Sequence, residues 1–195
     1  PHPHPAPQRP PPATGNVDGR RKKHAPRRDP VCNGADDDGS GTVSALEIAQ
    51  KFASERPRPH RSILFVWHTG EELGLIGSRW FTDHPTVPRD SIVAQLNIDM
   101  IGRGDSADTY GGGPNFVSLV GSRRLSTELG DLAESVDKKE HPALKVDYSL
   151  DAKGHPENIY CRSDHYMYAR YGIPVIFFTT GLHQDYHQLT DAPEY

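Results

Sequence analysis

The sequence predicts an α/β fold in which a β-sheet lies between layers of helix, because short apolar runs of strand length alternate with longer segments of helical pattern. Size supports one such unit: 195 residues, 34% of them hydrophobic, supply one ordinary core. A change of composition marks where it starts. Residues 1–30 mix Pro, Arg and His with almost no apolar periodicity, whereas the chain reads as folded from Val31 onward. The expected organisation is an irregular or non-native segment over 1–28 and one folded domain over 29–195. The chain opens on Pro1 and stops at Tyr195 within a functional-looking segment, so the domain is expected to be truncated at both ends.

Taken in order, Thr42 to Ser54 places Val43, Leu46, Ile48 and Phe52 among small and polar residues, which suits a helix packed on one side. Ser62 to Trp67 (SILFVW) is continuously apolar, as in a buried strand. Glu71 to Phe81 reads as a helix, Ile92 to Met100 and Val117 to Val120 as strands, Ser126 to Val136 as a helix, and Pro174 to Phe178 as another buried strand.

The formal net charge of −4 gives no general attraction to nucleic acid or to an anionic membrane. No stretch approaches the roughly 20 apolar residues of a membrane span, and the N-terminus lacks the apolar core of a signal peptide. The basic run Arg20 to Lys23 reads as a solvated stretch of tail. Small or peptide substrates are the expected partners. Cys32 and Cys161 are too few for a disulfide framework and lack thiolate zinc spacing.

In open α/β sheets, ligands gather beyond the carboxyl ends of the strands. Three such places carry acids or histidines: His68-Thr69-Gly70-Glu71-Glu72, Asn97-Ile98-Asp99, and Gly181 to His187 (GLHQDYH). A fourth cluster, Asn33 to Gly41 (NGADDDGSG), precedes the first long helix. Carboxylates combined with imidazole suit zinc or a similar divalent ion.

The ordered set NGADDDGSG, HTGEELGLIGS, NIDMIGR and DYHQLTD resembles the aminopeptidase Y family of zinc exopeptidases, from about Asp29 to Tyr195. The resemblance implies a three-layer α/β/α sandwich with a mixed, mostly parallel central sheet. It also implies two zinc ions, with Asp37 bridging them, Glu72 and Asp99 binding one each, and His187 completing the second site. Glu71 would be the general base and Tyr186 a hydrogen-bond donor to the tetrahedral oxyanion. The implied reaction is hydrolysis of N-terminal peptide bonds by metal-activated water, and the implied location is secreted or periplasmic. Two ions about 3.5–4 Å apart can clamp nucleophile and carbonyl oxygen together, and a bridging carboxylate provides that separation.

The family's upstream H-x-D motif is missing. His24 lies 13 positions before Asp37 but is followed by Ala25-Pro26, without the carboxylate that would orient a ligating ring. One metal site is therefore expected to be incomplete. Other readings remain open: a glutaminyl cyclase, a carboxypeptidase for acidic dipeptides, or a non-catalytic binding domain of this fold. The spacing from Asp36 through Asp38, Ser40 and Gly41 to Glu47 also fits a calcium loop, although Pro30 and Gly34 stand where its entering helix should end. Glu71 and Glu72 could form the acidic first turn of a helix. Ser163-Asp164-His165 are sequence neighbours, unlike the members of a hydrolytic triad. Asp164 and His165 are expected beside the site, and Asp191 in a supporting role.

Overall fold

The computed structural model describes residues 31–193, so His24 and the basic run lie outside the described residues. Four strands form one sheet: β1 (Gln95–Ile98), β2 (Phe116–Val120), β3 (Lys145–Asp147) and β4 (Val175–Thr179). Their spatial order is β1-β4-β2-β3. β1 runs parallel to β4 and β2 parallel to β3, while β2 and β4 are antiparallel, so the sheet is mixed. Four helices accompany it: α1 (Gly41–Ser54), α2 (Ile76–Asp83), α3 (Thr127–Glu140) and α4 (His165–Ala169).

The core follows the apolar runs. Val120 and Phe177 face each other across the β2–β4 pairing and cluster with Leu150 and Ile159. Val175 packs with Tyr168, Ala169 and Ile173. Burying each large apolar side chain contributes roughly 1.5–3 kcal/mol, which is why the two apolar strands occupy the middle of the sheet. α3 starts where Ser126, in extended conformation, accepts a hydrogen bond from the Leu129 amide at 3.1 Å, a side-chain cap on an amide with no partner in the helix.

Three expectations differ. α1 forms, but Val43, Leu46, Ile48 and Phe52 are all exposed, so no described element packs over the face expected to be buried. Ser62 to Trp67 makes no ladder with any described strand, and Ile63, Leu64 and Trp67 are exposed. An apolar run becomes a strand only when a neighbour takes up its backbone groups, and none of the described strands does. The helix expected from Glu71 begins instead at Ile76. Leu75, in left-handed conformation, separates it from a turn over 71–74. Glu71 and Glu72 therefore lie outside the first turn of α2.

His165 is fully buried, stacked on Phe177 with ring centroids 4.7 Å apart, and neither ring nitrogen has a hydrogen-bond partner. It belongs to the core and does not line the site as expected. Burial pushes its pKa from 6.5 down to about 3. The folded state thus resists a proton that the unfolded chain accepts below 6.5, so stability is complete above that pH and falls as pH drops toward about 3. At about pH 4.5 the penalty is roughly 2–3 kcal/mol. His165→Leu is expected to move the acid-unfolding midpoint to lower pH, measured by circular dichroism; an unchanged midpoint would contradict this.

Candidate metal centre

The Asp-rich turn over Ala35–Ser40 sits at the foot of α1, against the end of β1. Gly41 permits this approach, since any side chain there would collide with the Ile98 carbonyl oxygen and the Asp38 carboxylate. The three consecutive aspartates then point to different partners. Asp36 is buried, accepts from the Gly102 amide at 2.7 Å, and lies 3.2 Å from His183 Nε2. Asp38 accepts from the amides of Gly41 at 2.9 Å and Met100 at 3.2 Å. Asp37 is turned toward Glu72 and His187.

His187 Nε2 lies 3.1 Å from Asp37 Oδ2 and 3.0 Å from Glu72 Oε2. One donor atom from each residue lies within 4.8 Å of the others. Ligands of a tetrahedral zinc with bonds of 2.0–2.1 Å stand about 3.3 Å apart, so the spacing fits one ion with little rearrangement. Asp37 is 11% exposed, whereas His187 is 40% and Glu72 53% exposed. The Asp37 carboxylate is thus at the back and the open side of the group faces solvent.

The charges are tightly linked. Hydrogen bonds first to Asp37 and then to Glu72 raise the His187 pKa to about 10. The bond to His187 lowers Glu72, while burial raises Asp37 despite that same imidazole. Burial first, then the charges of Glu72, Asp164 and Asp37, push Glu71 up to about 8. Burial also raises Asp38 to about 7.

Asp99 is not in the converging trio. At the C-terminal end of β1, its Oδ2 accepts from Ser163 Oγ at 2.7 Å, and Ser163 in turn accepts from Asn97 Nδ2 at 2.8 Å. Its Oδ1 is buried with no hydrogen-bond partner. Burial and the neighbouring charges of Asp38 and Asp37 hold its pKa well above the ordinary range. A carboxylate oxygen so placed is costly unless a cation or proton faces it. Among the described residues, no second group of three or more His, Cys, Asp or Glu donors converges.

The Tyr186 ring stacks on His187 at 3.8 Å, and its hydroxyl oxygen accepts from Arg162 Nη2 at 3.0 Å. Asp164 is raised chiefly by burial, against the opposing effects of Ser78 and His68. His68 Nε2 lies 3.0 Å from the Tyr168 hydroxyl. Ser163 binds Asp99 and does not engage the His165 ring, so no triad forms. The calcium-loop reading also fails: Asp36 and Asp38 hold the turn to the backbone after β1, Ser40 Oγ donates to the Asp36 carbonyl, and Glu47 is exposed on α1. The roles of Ser163 and Arg162 were not read from the sequence. Only their place in and next to the Ser163-Asp164-His165 segment could have suggested them.

The profile of Peptidase family M28 matches residues 16–195. Leucine aminopeptidase 1 of Coccidioides posadasii is 34% identical over 151 residues, covering 74% of this chain and 36% of that protein. Leupeptin-inactivating enzyme 1 of Streptomyces exfoliatus is 31% identical over 150 residues, covering 75% and 30%. Among solved structures, the LapA protein of Legionella pneumophila aligns with a TM-score of 0.60 at 29% identity, over 83% of this chain and 42% of that one. The chain thus spans about a third of the length of these curated relatives.

Proposed function

The chain belongs to Peptidase family M28, and from that membership and the Asp37–Glu72–His187 group we propose that it is a zinc-dependent aminopeptidase. The fold is that of the zinc exopeptidases, as the mixed sheet and the alignment with LapA show. The observation that carries the reading is the convergence of two carboxylates and an imidazole with one side open to solvent. Asp37, Glu72 and His187 would hold one ion. Asp37 and Asp99 would contribute to a second, with Ser163 orienting Asp99.

When bound, zinc supplies charge that lowers the pKa of water and polarises a carbonyl. Glu71 would take the proton from the attacking water and return it to the leaving amine. Burial holds its carboxyl above the ordinary range, as suits a group that must both accept and release a proton near neutrality. Tyr186 would donate to the oxyanion. Because Arg162 already donates to the phenolic oxygen, the Tyr186 hydrogen is free to point elsewhere. Tyr186→Phe is therefore expected to lower kcat by about 10²–10³-fold, in the range for an oxyanion donor, with a smaller change in KM. An unchanged kcat would remove that role.

No helix among the described residues is long and apolar enough to cross a membrane. A peptide reaching the exposed face of Glu72 and His187 would present its N-terminal end, as the names of the relatives suggest. Release of leucine from leucyl 4-nitroanilide tests the reading. Turnover that a chelator abolishes and zinc restores is expected. No release by zinc-loaded protein, or release indifferent to chelation, would overturn it.

A further inference from the structure

One buried residue contacts the aspartate turn at three points. Asp191 is 2% exposed. Its backbone oxygen accepts from the Ala35 amide at 3.2 Å. Its Oδ1 accepts from the Asp36 amide at 3.0 Å and its Oδ2 from the Asp37 amide at 3.1 Å. Three consecutive amides of the turn that carries Asp37 thus end on a single residue. Asp191 is equally tied to the segment that carries His187, because its own amide donates to the Gln188 carbonyl at 3.1 Å. A left-handed His187 and the Gln188-to-Asp185 backbone bond of 2.8 Å fix the turn in between.

We propose that Asp191 is a positioning residue that locks the Asp37 turn to the His187 turn and so sets the spacing of the metal ligands. This rests on the reading of Asp37, Glu72 and His187 as ligands. The two segments are 150 residues apart in sequence, and without a lock their separation would vary with each turn's motion. Two further contacts bound the same segment: Arg103 Nη2 to Asp185 Oδ2 at 2.7 Å, and Thr190 Oγ1 to Asp185 Oδ1 at 2.6 Å. Neither touches the Asp37 turn, so apart from the direct contact of the candidate ligands His187 and Asp37 the register between the two turns falls to Asp191 and to the His183–Asp36 pair. The chemistry requires a carboxylate. Two adjacent amides need two acceptor oxygens, and an asparagine offers one while facing the other amide with its own NH₂.

The test is zinc affinity, measured by competition with a fluorescent chelator, on the parent chain, Asp191→Asn and Asp191→Glu, with the thermal midpoint of each metal-free protein. Glu keeps the charge but shifts the oxygens by one methylene, so it separates position from charge. Both variants are expected to bind zinc about 10–100-fold more weakly, as for other residues that orient ligands, while the metal-free proteins stay folded with midpoints lowered by only a few degrees. Parent-like affinity in either variant would overturn the proposal. So would a collapsed midpoint with unchanged affinity of the folded fraction, which marks a merely structural role. A parent that binds no zinc removes the metal reading itself, and the proposal with it, before any variant is compared.

Discussion

Replacing Glu71 by Gln is expected to lower kcat by about 10²–10⁴-fold, the range for loss of a general base, while zinc content stays at the parent level. The substitution keeps the shape and removes the ability to carry a proton. Glu71 is half-buried in the turn before α2 and feels the charges of Glu72, Asp37 and Asp164. It is not among the donors that converge with His187. Activity and elemental analysis together check the assignment. A Gln variant that loses its metal would make Glu71 a ligand, and one with normal kcat would remove it from the chemistry.

Asp37→Asn is expected to abolish turnover and to strip metal from the protein. Asp37 is the carboxylate common to the converging trio and to the neighbourhood of Asp99, so its loss reaches both proposed ions. The effect should exceed the about 10–100-fold typical of residues that only orient ligands, and therefore exceed that of Asp191→Asn. Metal content and leucyl 4-nitroanilide turnover are the measurements. Retention of both would exclude the bridging role.

Much of the fold could be read from local pattern, because local pattern decided it. β2, apolar except for Ser118, and β4 are short runs of strand-forming residues, and Ser126 announces α3 by capping it. The failures share a cause. Ser62 to Trp67 has strand composition, but pairing depends on a neighbour that its own residues do not encode. The early start assigned to α2 missed Leu75, whose left-handed conformation comes from tertiary context. β3 and α4, with three and five residues, are too short for a periodic signal.

The site divides in the same way. The acids and histidines were visible as clusters: Asp99 and Gly181 to His187 do follow β1 and β4, which run parallel, whereas Glu71 and Glu72 follow a run that pairs with no described strand. What spacing could not supply is the direction of each side chain in the Asp36-Asp37-Asp38 run. Only the fold sends Asp36 to His183, Asp37 to His187 and Asp38 to the amides of Gly41 and Met100. The resemblance of the motifs singled out Asp37, and no periodicity argument could have done so. Asp191 was expected in a supporting role, but what it and Ser163 bind is legible only after folding, because each acts on a residue more than 60 positions away.

Asp37, Glu72 and His187 are proposed to hold a catalytic zinc ion. The most direct measurement is zinc per chain by elemental analysis after removal of loosely held metal, on the parent and on His187→Ala. At least about one tightly held zinc in the parent and its loss in the variant are the expected results. No retained zinc in the parent, or the same content in both proteins, would contradict the account.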